Sequence, residues 1–390
     1  MTVLSPEALF PVVRGLLADQ LSSSRARSCL LDSIHWSAED RLDESLGVDS
    51  LELLEAARYV DQMFQLSQLG IEEFLLVRRT LGQWAALAAD ALAHAEAGLV
   101  FSSSASMGAA HHHRHELSQL AAEACFWHSQ LGNRKRILSL VPAQHIYGFL
   151  FTVLLPQLSG SARIEMLARL PHRVISEVAP GDVLVAHPLV WQSLADAGHN
   201  LPDDVVGISS TAPLSATTWQ QCLDLGLSRM IEVYGSSETA GIGWRESPKQ
   251  AFALLDRWQD LDSKQIDALV EQSGGRHYPL PDRLTVVGAR QFYPAGRRDQ
   301  AVQVAGRNVY PLAVAECIRA VDEVEDCQVR LDQDAGRLKA LVITASGDIE
   351  ALEASLRQRV AAAFSDAARP GRYDFARRMP RNAMGKPQDW

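Results

Sequence analysis

The chain has 390 residues, 47% of them hydrophobic and 22% charged, with a formal net charge of −10. That length suits two or three domains with cores of their own, and the acidic balance gives no global reason to expect nucleic acid. The longest apolar runs, such as Phe149–Leu155, are far too short to span a bilayer, and Met1 leads into Ser5-Pro6-Glu7 without the basic start and apolar core of a signal peptide. Five cysteines, Cys29, Cys125, Cys222, Cys317 and Cys327, are scattered and odd in number with no CxxC pair. That usage fits a reducing cytoplasm and neither a disulfide framework nor a zinc site.

The first predicted element is a helix over 6–21, followed by a long loop to Asp49. Asp49 and Ser50 stand where the next helix begins, so the Ser50 hydroxyl is expected on an exposed turn. Leu51, Leu54, Ala57 or Arg58, and Phe64 recur at helical spacing and predict one apolar stripe, with Glu52, Glu55 and Asp61 making the remaining face acidic. A last helix near 78–95 runs into the Ala-rich stretch 85–97, which passes almost directly into Leu99-Val100-Phe101, read as a strand. The linker is therefore short and stiff rather than a Gly/Ser tether. His111-His112-His113-Arg114-His115 follows; consecutive residues of a loop cannot all face one ion, so the run is read as a solvated loop and not a metal site.

From there strands and helices alternate: a helix near 115–130, a strand at 137–141, a helix near 146–157, and strands at 183–186, 205–209 and 230–233. Such alternation predicts an α/β layered sheet. Past Asp299 the texture changes to two strand-like runs at 327–331 and 338–344, a helix over 348–364 and a polar, basic tail, which together read as a small α+β domain.

The chemistry is carried by motifs. Tyr234-Gly235-Ser236-Ser237-Glu238-Thr239-Ala240-Gly241 follows the apolar Met230-Ile231-Glu232-Val233 and reads as a strand-end loop whose backbone N–H groups and hydroxyls approach phosphate oxygens. Glu238 supplies a hard carboxylate for Mg²⁺. Downstream lie Gly296-Arg297-Arg298-Asp299, Val302-Gln303-Val304-Ala305-Gly306-Arg307-Asn308-Val309 and Pro380-Arg381-Asn382-Ala383-Met384-Gly385-Lys386. In this order the set resembles the adenylate-forming superfamily of acyl- and aryl-CoA ligases and peptide-synthetase adenylation domains. Separately, Gly47-Val48-Asp49-Ser50-Leu51 within its helices resembles an acyl carrier protein, where the serine takes a 4′-phosphopantetheine arm.

These resemblances imply a multi-domain fold: an acyl carrier protein-like helical bundle over 1–95, a truncated α/β large subdomain of an AMP-binding enzyme over 99–298, and a mobile α+β C-terminal subdomain over 299–390. They imply that Ser103, Ser104, Ser106 and Gly108 belong to the loop holding the ATP phosphates, and that Thr211 lines the adenine site. Tyr234 would stack on adenine beside Gly235 and Ser236, Thr239 would touch the α-phosphate, and Glu238 would hold Mg²⁺. Asp282, assisted by Arg297, would accept the ribose hydroxyls, Asp299 would be the hinge, and Lys386 would bridge the substrate carboxylate and the α-phosphate. Ser50 would be the attachment point of the phosphopantetheine, served by a phosphopantetheinyl transferase.

The chain departs from the family pattern at Ala105 and Met107 in the phosphate loop, at His111 and Gln303 in place of lysines, and in the absence of the segment of well over a hundred residues (from the family resemblance) that usually precedes the loop. Pro142-Ala143-Gln144-His145-Ile146-Tyr147-Gly148-Phe149 resembles the aromatic and histidine gate of 4-coumarate-type ligases, so His145, Tyr147 and Gly148 are expected at a pocket for an aryl or fatty acid. An α-amino acid is disfavoured, since no carboxylate is placed for its ammonium group. The expected reaction is ATP- and Mg²⁺-dependent adenylation of a carboxylic acid and its transfer to the thiol on Ser50, in trans within a homodimer or onto other synthase components. Two alternatives stand beside it: a ligase that uses coenzyme A, with the bundle only structural, and a non-catalytic carrier or interaction module on a degenerate adenylation fold.

Overall fold

The computed structural model describes residues 4–25, 29–94, 98–103, 111–262, 266–298, 301–332, 335–345 and 347–378. They divide into two compact units, one of residues 4–103, 112–280 and 286–293, the other built on 281–285 and 294–378.

The first unit opens with a bundle of α1 (Pro6–Ser24), α2 (Leu30–Ser33), α3 (Ser50–Phe64), α4 (Phe74–Val77) and α5 (Leu81–Leu92). α1 packs on α3 and α5, and Leu9, Val13, Leu17 and Leu21 of α1 are buried, as are Val60 and Met63 of α3 and Trp84 and Leu87 of α5. The Trp84 indole N–H donates to the carbonyls of Leu75 and Arg78 at 2.9 and 3.1 Å, so this aromatic anchor also fixes α4. α3 begins as expected: Asp49 is its N-cap, its carboxylate accepting the N–H groups of Leu51 and Glu52, while Glu52 accepts the Asp49 N–H. This reciprocal capping box leaves Ser50 exposed in the first turn.

The buried stripe of α3 differs from the predicted one. Leu53, Ala56, Ala57, Val60, Met63 and Phe64 face the core, whereas Leu51 and Leu54 are 66% and 51% exposed. Glu52 is also buried, bound by Arg25 at 2.7 Å, and Arg25 reaches the Gly47 carbonyl at 2.9 Å. Ala57 and Phe64 are buried as expected, but Leu51 and Leu54 face outward, because a leucine near the start of a helix looks the same in the chain whether it faces in or out.

β1 (Gly98–Ser103) and β2 (His111–Glu116) form a two-stranded sheet. Then come α6 (Leu117–Leu131), β3 (Arg136–Ser139), α7 (Ile146–Phe149), a π-helical turn (Leu150–Leu154), α8 (Leu155–Ser159) and β4 (Ala162–Glu165). They are followed by α9 (Pro171–Glu177), β5 (Val183–Ala186), α10 (Pro188–Asp196), β6 (Val205–Ser209), α11 (Ala216–Asp224), β7 (Leu227–Ser236), β8 (Ala240–Arg245) and β9 (Phe252–Leu254). A small hairpin of β10 (Ala268–Val270) and β11 (His277–Pro279) precedes β12 (Asp282–Gly288) and β13 (Gln291–Arg297).

Nine strands make the main sheet in the order β12-β13-β9-β8-β7-β6-β5-β3-β4. β4, β3, β5, β6 and β7 are parallel, and β8 and β9 continue antiparallel. The parallel strands β5 and β6 are buried at every residue, as expected where helices cover both faces. The bundle is fixed to this sheet: Arg14 of α1, itself buried, pairs with Glu165 of β4 at 2.7 Å, and Gln144 donates to Asp19 at 2.8 Å. A Cβ on Gly15 would lie 2.1 Å from the Gln144 amide oxygen, so α1 lies directly on the 142–145 segment.

The second unit contains the hairpin β14 (Val302–Val304) and β15 (Arg307–Val309), α12 (Pro311–Arg319), β16 (Asp326–Asp332), β17 (Arg337–Ile343), α13 (Ile349–Ala363) and β18 (Arg372–Ala376). Ala305 and Gly306 carry φ of 49° and 77°, the paired left-handed residues of a two-residue hairpin turn. β16-β17-β18 form a sheet whose apolar face, with Val329, Ala340 and Val342, packs on Ile318, Leu356 and Val360.

Candidate active site

In open α/β sheets ligands gather beyond the carboxyl ends of the strands. Here β6 and β7 are parallel neighbours, with Ser209 opposite Glu232, so Thr211, just beyond the end of β6, lies next to the stretch of β7 that contains Tyr234. Thr211 is exposed and holds φ of +80°, a conformation a β-branched residue adopts only where the surrounding structure enforces it. The enforcement is visible: Glu232 accepts the Leu214 N–H at 2.8 Å and is itself held by Arg245 at 2.7 Å, which ties the 210–214 segment to β7.

Tyr234 is half-buried, its ring 5.5 Å from Phe252 and 5.6 Å from Phe292. The predicted strand-end loop is shorter than expected, because β7 continues through Tyr234, Gly235 and Ser236 and pairs with β8. A Cβ on Gly235 would lie 2.3 Å from the Ala240 carbonyl, so the hairpin closes this tightly only with glycine there. The turn is Ser237-Glu238-Thr239. Thr239 is fully buried, its hydroxyl donating to the Ala240 carbonyl and meeting Ser236 Oγ, both at 3.0 Å. Glu238 projects with its side chain 28% exposed, 3.6 Å from His113 Nε2.

The histidine run is not a solvated loop. It is strand β2, and its period of two buries His115, whose Nε2–H donates to the Ser237 carbonyl at 2.7 Å. Burial pushes the His115 imidazole down to about 4, the Ser237 carbonyl opposing it, so the ring is neutral at pH 7. A cluster of histidines in sequence resembles a wet loop; only the pleat separates the buried from the exposed ones.

Behind the turn lies a network that sequence reasoning missed. Glu123 of α6, fully enclosed, accepts the Gly241 N–H at 3.1 Å, and the Trp258 indole N–H donates to the Gly241 carbonyl at 2.9 Å. Both backbone polar groups of Gly241, two residues past the turn, are thereby held. Arg257 lies 3.5 Å from Glu123 and 3.4 Å from Glu271, with its guanidinium over the Trp258 ring. Burial pushes the Glu123 carboxyl up, against the pull of Arg257. A Cβ at Gly241 would stand 2.2 Å from Glu123 Oε1. The signal was present in α6: an acidic residue at 123 shares the helical stripe of Leu120, Ala124, Trp127 and Leu131.

The gate segment is divided. His145 is exposed at the start of α7. Tyr147, expected at the pocket, is a core residue whose hydroxyl donates to the carbonyls of Ala186 and Ile208 at 3.0 and 2.8 Å, bridging β5 and β6. Gly148 serves a close approach, since a Cβ there would be 1.9 Å from the Pro142 carbonyl. In the second unit, Asp282 is half-buried at the start of β12, and Arg298 Nε donates to its carbonyl at 3.3 Å. The side chains of Ser103 and Arg297, and the whole of Ser104, Ser106, Gly108, Asp299 and Lys386, lie outside the described residues.

Residues 105–263 match the family model of the AMP-binding enzymes. The 4-coumarate--CoA ligase of Cereibacter sphaeroides is 37% identical over 370 residues, 93% of this chain and 88% of that protein. That of Halorhodospira halophila is 34% identical over 395 residues, covering 100% of both chains. The chain belongs to this family of AMP-binding ligases. It is an adenylate-forming acid–thiol ligase of the acyl- or aryl-CoA ligase type. Its fold is that of the amide bond synthetase McbA from Marinactinospora thermotolerans, at a TM-score of 0.59 and 18% identity over 74% of this chain and 67% of that one. The o-succinylbenzoate CoA synthetase of Bacillus subtilis also has a TM-score of 0.59, at 15% identity over 74% and 67%.

ATP and Mg²⁺ are expected for this ligase, and the residues present fit them. Glycines bring the β7–β8 backbone close, and the part-exposed Glu238 stands among Ser236, Ser237 and Thr239. A single carboxylate suits an ion that keeps most of its waters and takes phosphate oxygens as partners. The short length is shared: the Halorhodospira protein aligns over all of this chain, the N-terminal bundle included. No helix among the described residues is long and apolar enough to cross a membrane.

Proposed function

We propose that this ligase joins an aryl carboxylic acid of the 4-coumarate kind to coenzyme A, with the N-terminal bundle a fixed part of the fold. The observation that carries the reading is the end-to-end alignment with a 4-coumarate--CoA ligase of the same short build. The attachment of α1 to the sheet through Arg14, Asp19 and Gly15 supports a structural bundle over a swinging one.

In the first half-reaction a carboxylate oxygen attacks the α-phosphorus of ATP, forming the acyl-adenylate and releasing pyrophosphate. Two anions must meet, so the residues assigned to the step neutralise and orient. Tyr234 and the 211–213 segment would hold the base, and Asp282 with Arg297 the ribose. Thr239 and the turn backbone would lie along the phosphates, and Glu238 would hold Mg²⁺, which supplies positive charge at the phosphate oxygens. Lys386 would place a compact cation between the carboxylate and the α-phosphate. In the second half-reaction the thiol of coenzyme A attacks the acyl carbonyl and AMP leaves, with Asp299 as the pivot between the two arrangements. The Pro142–Phe149 segment carries no carboxylate that would grip an ammonium group, which favours a plain acid over an amino acid.

The test is incubation with MgATP, 4-coumaric acid and coenzyme A, followed by mass spectrometry of the thioester and of AMP. The expected products are one coumaroyl thioester per AMP, with Lys386→Ala lowering the rate roughly 10²–10³-fold, the usual loss for removing one transition-state stabiliser. Release of AMP without a thioester of coenzyme A would sink the reading.

A second reading has its own observation. Ser50 is exposed at a capped helix start, beside a groove of about 400 Å³ lined by Leu42, Val48, Leu53, Leu54 and Leu76. Those are the requirements of a serine that carries a 4′-phosphopantetheine arm and an acyl group. Intact-protein mass spectrometry after treatment with a phosphopantetheinyl transferase decides: an arm that becomes acylated with ATP and acid supports it, and an unmodified Ser50 removes it.

A further inference from the structure

Strand β2 has two faces and each touches a different part of the first unit. On one face His115 Nε2 donates to the Ser237 carbonyl at 2.7 Å, and His113 Nε2 stands 3.6 Å from Glu238 Oε1. On the other face the His112 ring lies against the Gln62 amide and 2.9 Å from Ser102 Oγ, and Arg114 Nε donates to Gln65 Oε1 at 3.0 Å. Gln62 sits in the last turn of α3, and Gln65 is the residue that ends it, in the left-handed conformation with φ of 54°. The Arg114 guanidinium crosses Gly98 of β1 so closely that a Cβ there would stand 2.8 Å from its central carbon.

A strand cannot turn one face without turning the other, because successive side chains are fixed on opposite sides of the pleat. Holding Arg114 and His112 therefore holds His113 and His115. We propose that the C-terminal end of α3 buttresses the nucleotide turn through β2, so that the bundle sets the position of Ser237 and Glu238. Gln65 and Arg114 are positioning residues for MgATP, and neither touches the nucleotide. The inference rests on the reading of the 234–241 hairpin as the nucleotide site. It gives the N-terminal bundle a function in the ligase, the support of the phosphate-binding region.

The experiment is calorimetric binding of MgATP, and separately of 4-coumaric acid, to the full chain and its variants, with melting temperatures alongside. Gln65→Gly is the decisive variant. Glycine accepts the left-handed backbone without strain, so the acceptor is removed while the fold is left as stable or more so. The expected result is a Kd for MgATP raised roughly five- to tenfold in Gln65→Gly and in Arg114→Leu, the net scale of one ordinary hydrogen bond. The Kd for the acid should be unchanged, and the melting temperature of Gln65→Gly undiminished. Gln65→Glu, which accepts the same bond from Arg114, should bind as the parent does. The double variant Gln65→Gly/Arg114→Leu should be no worse than Arg114→Leu alone, since that variant already removes the Gln65 contact. MgATP binding by the parent with an unaltered Kd in both single variants overturns this inference alone. A parallel loss for ATP and acid, tracking the melting temperature, also overturns it, because that is loss of fold. A parent chain that fails to bind MgATP overturns the nucleotide-site reading and this inference with it.

Discussion

At the scale of single residues, the site is held by groups whose protonation is fixed by where they sit. His115 is neutral in the folded chain down to about pH 4, whereas an unfolded histidine titrates near 6.5. Between those values the unfolded chain binds a proton that the folded chain refuses, so stability falls as pH drops from 6.5 toward 4. The total is about 3 kcal/mol, and the dependence is flat outside the window. Glu52 is held down to about 2 by Arg25, so its contribution is complete above about 4.5 and is lost as pH falls toward 2. The two windows barely overlap. Urea unfolding between pH 4 and 7 should therefore show a slope that His115→Phe flattens and Arg25→Ala leaves in place. An unchanged slope in His115→Phe would remove the histidine from the account.

At the scale of elements, the β7–β8 hairpin is positioned by α6 and by the 257–258 segment more than by its own turn. Glu123 accepts from the Gly241 N–H while Trp258 donates to its carbonyl, and Arg257 lies between Glu123 and Glu271. Removing Glu123 leaves Arg257 paired with Glu271 but takes from the buried Gly241 N–H its acceptor. Glu123→Ala is expected to lose about 1–3 kcal/mol of stability by chemical denaturation, the cost of an unsatisfied buried N–H, and Glu123→Gln, which still accepts from Gly241, distinctly less. Equal losses in the two would show that the carboxylate's charge, and not its bond to the hairpin, is what counts. The capping box of α3 is legible in the chain itself, because an Asp followed three residues later by a Glu ahead of an apolar run has one local explanation. The buried face of the same helix is not, since the choice between Leu51 and Leu53 is made by α1 and α5 across the bundle.

At the scale of the whole molecule, the bundle and the α/β sheet share contacts that only a fixed packing allows, while residues 294–378 carry a core of their own. Scanning calorimetry of the full chain should accordingly show the bundle melting together with the sheet, without a separate low-temperature transition from helix 6–24 and its partners. Arg14→Ala should lower that shared transition, because it takes from Glu165 its buried partner on α1. A bundle that melts by itself, unaffected by Arg14→Ala, would restore the picture of a separate carrier.

What short-range chemistry decides is already legible along the chain. The alternation of strands and helices, the cap at Asp49, the tight glycines of the 234–241 motif and membership of the adenylate-forming ligases all rest on neighbours in the chain, or on motifs in a fixed order. The tertiary structure decided which face each residue shows. Tyr147 became a bridge between β5 and β6, and the histidine run became a strand with a buried member. Glu123, Arg257 and Trp258 came together from α6 and a segment more than a hundred residues later. A pleat or a helical stripe has the same period whichever side is inward, and a buried charge is tolerated only where a distant partner arrives. Both are settled by packing, which no local stretch of sequence contains.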